Sequence, residues 1–231
     1  MKNIKNIIIV VIIVLTSICL LFINSGYQMY RKAIKEVDLT EKVSQITEKE
    51  NYTKLSEMPK IYLDAVIAVE DHRFYNHNGI DVISIGRAAF NDIRTLSFIE
   101  GGSTITQQLS KNVYFTQEKK IERKIAEIFM AFTFEKHYTK NEILELYLNT
   151  AYFGNGYYTV KEASQGYFDK EPKEMTDGEA IMLAGIPNAP SVYNPKVNLK
   201  LAKQRRNQVI KKMIKYKKLT QEEANKIIAE N

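Results

Sequence analysis

Apolar residues recur at helical spacing along most of the chain. The stretch 60–71, "KIYLDAVIAVED", has the apolar density of a buried helix, and "TITQQLSKNVYF" places Ile105, Leu109 and Val113 four residues apart. Alternating apolar and polar residues, the pattern of a strand, are rare, and no internal repeat is visible. The pattern therefore predicts a mainly α protein.

Polar residues predict where several helices begin. Ser103 or Thr104 is suited to cap the helix that follows, because a hydroxyl can accept a hydrogen bond from the free backbone N–H groups of a first turn. Two further starts have the spacing of a capping box, Thr139 with Glu142 and Thr176 with Glu179.

Two long amphipathic helices are predicted in the second half of the chain. Residues 200–218 contain nine Lys or Arg and no acid, while their apolar residues keep helical spacing. We expect a packed helix with a basic outer face there; a helix lying on a membrane surface is the alternative. Residues 120–138 have one apolar face, formed by Ile121, Ile125, Ile128, Phe129 and Phe132.

The N-terminal segment predicts a membrane anchor. Lys2 and Lys5 precede an uncharged run over 7–23, whose helical length nearly matches a hydrocarbon core of about 30 Å. A signal peptide is the alternative, but its apolar core is usually about 7–15 residues and ends at a small-residue cleavage site. Neither feature is present, and Ile18 stands where a lipoprotein signal before Cys19 needs a small residue. We therefore expect an uncleaved anchor.

Three parts are expected along the chain. Residues 1–26 form a cytoplasmic tip and transmembrane anchor, residues 27–58 a stalk that is helical or partly extended, and residues 59–231 one domain. Positive charges on both sides of the apolar run give no clear orientation. Short N-terminal anchors usually leave the large domain outside the cell, and we expect that topology.

Composition excludes some classes of site. The 231 residues are 45% hydrophobic and 26% charged, as in ordinary globular proteins. One cysteine excludes an internal disulfide and a Cys-based zinc site, and the three histidines lack close metal-ligand spacing. The net charge of +6 favours anionic partners such as nucleic acid, phospholipid headgroups or pyrophosphates, although a solvated basic surface gives the same charge.

Two adjacent acids, Glu70 and Asp71, end an apolar helix. They could be solvated acids, but a helix C-terminus disfavours negative charge. Such a placement is tolerated more readily where a carboxylate has a function, and an apolar flank suits general acid or base catalysis near neutral pH.

Two further stretches contain candidate binding residues. In 100–112, "EGGSTITQQLSKN", two glycines open a helix whose N-terminus favours anions, with Lys111 two turns on; an ordinary capped helix is the alternative, and P-loop spacing is absent. Arg123 and Glu127 are one helical turn apart. They form either a surface ion pair or a clamp for a diphosphate beside a second carboxylate.

Four stretches in this order resemble the peptidoglycan glycosyltransferases: "EDHRFYNHNGID", "GGSTITQQLSKN", "RKIAEIFMAFTFEKHYTKNEILELYLN" and "YFGNGYYTVKEAS". This lysozyme-like family forms the N-terminal module of bifunctional penicillin-binding proteins and also exists as monofunctional, membrane-anchored enzymes. The resemblance covers residues 59 to the C-terminus and leaves no room for a transpeptidase domain, so it implies the monofunctional type.

The resemblance implies polymerisation of lipid II into glycan strands. Glu70 matches the general base that deprotonates the acceptor 4-hydroxyl, and Glu127 matches a second carboxylate that helps the pyrophosphate depart. Lys111 and Arg123 match basic residues near the donor diphosphate. The reaction inverts the donor carbon, forms a β-1,4 bond and releases undecaprenyl pyrophosphate. Further matches to substrate-binding positions are Asp71, Phe74, His77, Ser103, Thr104, Gln107, Gln108, Asn112 and Lys124.

The resemblance also implies the setting. No cofactor and no protein metal site are required, with Mg²⁺ or Mn²⁺ as an optional aid at the diphosphate. The expected partners are lipid II, the growing lipid-linked glycan and the bacterial membrane, with other cell-wall synthesis proteins as further candidates and no nucleic acid. The domain is expected outside a bacterial cell membrane that the chain crosses once, with an apolar element near 93–99 and 113–120 dipping into the bilayer.

Two departures and two alternatives remain open. Thr159 and Asp169 stand where the family often has glycine, which affects local loop geometry more than catalysis. The alternatives are a glycan-cleaving lytic transglycosylase or lysozyme, which needs no cluster for a lipid diphosphate, and a non-catalytic membrane-anchored scaffold.

Overall fold

A computed structural model describes residues 2–95, 102–116, 118 and 120–229. Within these ranges the chain forms α-helices joined by short turns, with no β-strand, so the predicted mainly α class is confirmed. The helices are α1 (Lys2–Glu36), α2 (Leu39–Thr47), α3 (Lys60–Glu70), α4 (Val82–Thr95), α5 (Ile105–Tyr114), α6 (Ile121–His137), α7 (Lys140–Leu148), α8 (Val160–Phe168), α9 (Asp177–Gly185), α10 (Leu199–Lys215) and α11 (Gln221–Ala229).

Local capping chemistry sets several helix starts as the sequence predicts. Thr104 accepts a hydrogen bond from the Gln107 backbone N–H, and the Gln107 side-chain oxygen accepts one from the Thr104 backbone N–H, so Thr104 rather than Ser103 is the cap of α5. The capping boxes predicted at Thr139 and Thr176 are both present. These caps satisfy N–H groups that would otherwise lack partners where the helices enter the core.

Thr159 and Asp169, the two residues predicted to stand in place of glycine, have clear local roles. Thr159 caps α8 by accepting a hydrogen bond from the Glu162 backbone N–H. Asp169 ends that helix with φ +56°, in the left-handed region that glycine adopts most easily and that Asp tolerates. Neither substitution for glycine interrupts the helix or its termination.

The core lies between α3, α5, α7, α9 and α10. Helix α3 is almost wholly buried and packs on α9 and α10, while α5 packs on α6 and α7. The largest fully buried side chains in the described residues include Tyr62, Phe74, Phe134, Phe153 and Tyr147. This packing fixes the end of α3 and the starts of α5 and α6 relative to one another.

Helix α1 is long and apolar enough to cross a membrane. It is one continuous helix, and its most apolar stretch has a mean hydropathy of 3.1 and no burial within the protein. Its 35 residues give a length of about 52 Å, which exceeds a hydrocarbon core of about 30 Å. The helix therefore extends beyond the predicted anchor and into contact with the rest of the protein.

The last part of α1 packs along α6. Gly26 lies against Ile125, where a Cβ added to the glycine would be 2.6 Å from the isoleucine Cβ. The Tyr27 and Phe129 rings meet edge to face at 5.2 Å, and the Tyr30 hydroxyl is 2.9 Å from the Thr133 hydroxyl. Since later residues of α1 meet later residues of α6, the two helices run in the same direction.

That contact changes how the apolar face predicted on α6 is used. Ile125 and Phe129 face α1, whereas Ile121 and Phe132 are exposed. The buried face of α6 is formed instead by other residues of the helix, namely Ala126, Glu127, Met130, Ala131 and Phe134.

The segment predicted as a stalk is helical in α1 through Glu36 and in α2. Leu39 and Ile46 of α2, and Met58 after it, belong to the main hydrophobic core. The predicted division of the chain at residues 26 and 58 stays a prediction, but the packing joins residues 39–58 to the domain.

The basic segment 200–218 forms the packed helix α10, with Val209, Ile210 and Met213 buried. It differs from the prediction in one respect, since Arg205 and Arg206 are buried as well. The apolar element predicted near 93–99 and 113–120 falls in part on residues 96–99, 117 and 119, which lie outside the described residues, and it stays a prediction.

Candidate active site

A cleft of about 770 Å³ opens where the end of α3, the first turns of α5 and α6, and α10 meet. Its walls are mostly polar and charged. Eight of the residues predicted from the sequence line it: Glu70, Ser103, Gln107, Gln108, Lys111, Arg123, Lys124 and Glu127. The two carboxylates predicted to work together, 57 positions apart in the chain, therefore belong to one cavity.

Glu70 is the last residue of α3 and is partly exposed to the cleft. Its Oε2 accepts a hydrogen bond of 2.7 Å from the Gln108 side-chain amide on α5. Because the rest of α3 is fixed in the core, the helix end presents this carboxylate at a defined place. A carboxylate with one neutral donor and access to a cavity can exchange a proton with a bound hydroxyl.

Glu127 has a very different environment. It is 1% exposed, and both of its oxygens are bound by cations of its own helix, Oε1 by Arg123 and Oε2 by Lys124 at 3.0 Å. The Lys124 ammonium also donates to the Ser103 hydroxyl at 2.6 Å. The ion pair predicted between Arg123 and Glu127 is therefore present, and it is buried rather than on the surface.

Positive charge is crowded on this side of the cleft. Burial, and then the nearby Arg123 and Lys111, lower the pKa of Lys124 to about 8. Burial and Arg123 also lower the pKa of Lys111, an effect that the charge of Glu70 opposes. Cations whose charge is disfavoured in the free protein gain most from a bound anion, so this wall is suited to a phosphate or diphosphate.

Comparison with known proteins identifies the family to which this chain belongs. The family model described as Transglycosylase matches residues 37–214, which is more than half of the chain. The chain belongs to the transglycosylase family. This confirms the family predicted from the four motifs, and with it the class of glycosyltransferases of peptidoglycan and cell-wall synthesis.

Individual relatives agree with that membership. The chain is 46% identical over 170 residues to penicillin-binding protein 1F of Bacillus subtilis, a match that covers 74% of this chain and 24% of that protein. It is 48% identical over 177 residues to penicillin-binding protein 1A of Vibrio cholerae, covering 77% of this chain and 22% of that protein. The chain thus spans about a quarter of the length of the curated relatives it matches.

A solved structure is also similar. The crystal structure of penicillin-binding protein 1A from Haemophilus influenzae matches with a TM-score of 0.47 and 27% identity, over 78% of this chain and 17% of that one.

Five residues predicted to bind substrate do not line the transglycosylase cleft. Asp71 is buried, accepts a hydrogen bond from the Ile105 backbone N–H at 3.1 Å, and lies 2.9 Å from His77 Nε2. It therefore ties the end of α3 to the start of α5. The others are Phe74, which is 0% exposed, Thr104, which caps α5, and Asn112 and His77, which are absent from the cleft walls.

These five residues lie outside the cleft walls, and the substrate-binding roles expected of them stay predictions. Asp71, Phe74, His77 and Thr104 support the walls of the cleft from behind, and Thr104 adds a hydrogen bond of 2.7 Å from its hydroxyl to the Gly79 carbonyl. The four motifs therefore contain both the residues that line the cleft and the residues that hold those lining residues in place.

Sequence reasoning missed one wall of the cleft, to which α10 contributes Arg205, Gln208, Lys212 and Lys215. Lys212 of that helix donates to the Val69 carbonyl at 3.0 Å, next to Glu70, and the His72 ring stacks on Tyr216 with centroids 4.0 Å apart. The run of basic residues over 200–218 was a visible signal, but nothing in its spacing says which cavity it faces. The residues of this wall that the sequence did not indicate are His72, Arg87, Pro187, Asn188, Arg205, Gln208, Lys212, Lys215 and Tyr216.

The cleft provides no cage of protein ligands for a metal ion. Among the described residues, no group of three or more His, Cys, Asp or Glu side chains could hold one. Glu127 is already neutralised by Arg123 and Lys124. These residues do not fit a resident metal, and the expectation that none is required stays a prediction.

Proposed function

We propose that this protein polymerises lipid II into peptidoglycan glycan strands at the outer face of a bacterial membrane. The observation that carries the proposal is the arrangement of one cleft with two dissimilar carboxylates. Glu70 is partly exposed, Glu127 is buried between two cations, and Lys111 lies in the same cavity. A base and an anion site are the two requirements for moving a sugar from a diphosphate to a hydroxyl.

In the proposed step, Glu70 acts as general base. The 4-hydroxyl oxygen of lipid II attacks C1 of the donor sugar at the end of the growing glycan, and its proton passes to Glu70. The bond from C1 to the phosphate oxygen breaks and its electron pair leaves with the diphosphate. Attack from the face opposite to the α-linked leaving group gives the β-1,4 bond. Such base catalysis typically contributes about 10²–10⁴-fold.

The leaving group needs charge compensation more than it needs a proton. A diphosphate leaves as an anion, so Lys111, Arg123 and Lys124 can stabilise the charge that develops on it. Glu127 orients two of these cations by binding both in fixed positions. This differs from glycoside hydrolysis, in which an acid must protonate a leaving alkoxide. The cationic wall favours synthesis over the glycan-cleaving alternative.

The proposed location follows from the anchor. Because α1 and α6 run side by side, Arg123 lies close to the level of Gly26, which is about 5 Å along the helix beyond Ile23, the last residue of the apolar run. The anion site is then near the headgroups, where the diphosphate of a membrane lipid lies. We propose a single-pass protein with its cleft outside the cell, acting on lipid II and the growing lipid-linked glycan.

The test is a polymerisation assay with the full chain in detergent and labelled lipid II. The wild-type protein should form ladders of glycan, and Glu70→Gln should form none while melting at an unchanged temperature. Glu179→Gln is the matched control, because it makes the same change in a partly buried glutamate that pairs with Lys170 outside the cleft. It should polymerise normally.

Two results would overturn the proposal. One is a folded Glu70→Gln variant that polymerises at the wild-type rate. The other is a wild-type protein that makes no polymer but shortens preformed glycan, which is the outcome expected of a lytic enzyme.

A further inference from the structure

A chain of two hydrogen bonds connects the core to Glu70. The Tyr147 hydroxyl on α7 donates to the Gln108 side-chain oxygen on α5 at 3.2 Å, and the Gln108 side-chain nitrogen donates to Glu70 Oε2 on α3 at 2.7 Å. Three helices thus contribute one residue each. Only Gln108 and Glu70 line the cleft, and Tyr147 lies behind them at 2% exposure.

The donors and acceptors in this chain can be arranged in only one way. An ionised carboxylate only accepts hydrogen bonds, so the amide nitrogen of Gln108 must face Glu70. The amide oxygen then faces Tyr147, whose hydroxyl must donate. Burial raises the pKa of Tyr147 well above its ordinary value, so the hydroxyl keeps its proton at any physiological pH. Tyr147 therefore holds the Gln108 amide from behind, in the orientation that the carboxylate requires.

The two oxygens of Glu70 are consequently unequal. Oε2 is occupied by the amide of Gln108, whereas Oε1 makes no hydrogen bond to any of the residues that the structure describes. An oxygen that keeps a donor during the reaction is the weaker base, and the open one can approach a bound hydroxyl.

We propose that Tyr147 is a positioning residue for the glycosyl transfer: through Gln108 it occupies Oε2 of Glu70 and leaves Oε1 to take the proton of the acceptor hydroxyl. The inference rests on the proposed role of Glu70 as base. It assigns no contact with substrate to Tyr147. Without the tyrosine hydroxyl, the Gln108 amide is held at one end only, so its hydrogen bond to Oε2 of Glu70 is less well fixed and the ionised base loses stabilisation.

Other charged groups near Glu70 are unchanged by loss of the hydroxyl. Lys111 on α5 acts on Glu70 through its charge, Lys212 on α10 is bound to the carbonyl of the preceding residue, and Asp71 follows on the same segment. His72 and Tyr216 line the cleft nearby. A change in pH dependence on removing only the Tyr147 hydroxyl would therefore report on the Gln108 orientation.

The test is Tyr147→Phe, which removes one oxygen atom from the core. Tyr62→Phe is its matched control, because Tyr62 on α3 is also fully buried and its hydroxyl has no hydrogen-bond partner among the described residues. Polymerisation of lipid II by the full chain is measured as kcat and KM over a range of pH, together with the melting temperature. Gln108→Ala is made alone and combined with Tyr147→Phe.

The expected result is a kcat about tenfold lower for Tyr147→Phe, the effect of roughly one hydrogen bond, with KM within about twofold of wild type. The acid limb of its pH–rate profile should move to higher pH. Tyr62→Phe should match wild type in both, and Tyr147→Phe should cost nothing further in the Gln108→Ala background.

The inference is overturned if Tyr147→Phe matches Tyr62→Phe in kcat and pH profile, or if its effect adds fully to that of Gln108→Ala. Glu70→Gln, assayed alongside, separates this failure from failure of the proposed function. If Glu70→Gln is inactive while Tyr147→Phe is normal, only the role of Tyr147 is lost. If Glu70→Gln polymerises normally, the proposed base itself is refuted.

Discussion

The two carboxylates of the cleft differ in almost every physical respect. Glu70 ends a helix, is partly exposed and has one neutral hydrogen-bond donor, Gln108. Glu127 lies within a helix, is 1% exposed and is bound by Arg123 and Lys124. The charge of Glu127 is thus compensated by cations of its own helix, whereas Glu70 is open to a group bound in the cavity.

These two environments are suited to two different roles within one cleft. In the proposed mechanism, the Glu70 side supplies the group that takes a proton, and the Glu127 side supplies positive charge that a carboxylate holds in place. Each of the following measurements is directed at one of these two sides.

Among changes that leave both carboxylates in place, the largest effect is expected from removing cations of the Glu127 side. Lys111→Ala and Arg123→Ala should each lower kcat/KM for the lipid-linked donor by about 10²-fold, because a charge-assisted contact to the leaving diphosphate is lost. Use of the acceptor should change little. Assays that vary a preformed lipid-linked glycan and lipid II separately would check this, and a defect confined to the acceptor would contradict it.

A smaller effect is expected from the contact between the anchor and α6. Gly26→Leu should force α1 away from Ile125 and Glu122, and thereby displace the helix turn that carries Arg123 and Lys124. We expect kcat/KM to fall about tenfold, since small misplacements of binding groups reduce rates strongly.

Ser25→Leu is the control for that change. Ser25 is exposed and adjacent to Gly26, so the same side chain is added to the same turn on a face without a neighbouring helix. Equal activity of the two variants would show that the contact of α1 with α6 does not support the anion site.

The smallest effect concerns pH. The pKa of Lys124 is lowered to about 8, chiefly by burial, and a bound diphosphate should raise it again because opposite charge favours the ammonium. Donor binding above pH 8 must then take up a proton, so KM for the donor should rise as the pH increases from 7 to 9. Lys124→Arg should remove this dependence, because Arg stays charged. A slope that persists in Lys124→Arg would contradict the assignment.

Local rules in the sequence predicted much of this architecture. Thr104, Thr139 and Thr176 cap helices because a hydroxyl at that position satisfies free N–H groups whatever the rest of the fold does. The Arg123–Glu127 pair follows from helical spacing alone.

Tertiary contacts decide which side chains face the cleft, and this could not be predicted from the sequence. Glu70 and Asp71 are neighbours, yet one faces the cleft and the other binds the Ile105 backbone, a choice that depends on where α5 packs. Lys212 likewise shows helical periodicity in the sequence, but only the packing of α10 on α3 brings it beside Glu70. Four ordered motifs could indicate the family, but not which of their residues face the cavity.

The most direct test of the division of roles is to measure unfolding free energy and lipid II polymerisation for Glu70→Gln and Glu127→Gln side by side. Both variants should lose polymerisation, and Glu70→Gln should keep wild-type stability. Glu127→Gln should lose about 2 kcal/mol, because Arg123 and Lys124 are left without their charged partner. Polymer formation by a folded Glu70→Gln, or wild-type stability together with wild-type activity in Glu127→Gln, would contradict the account.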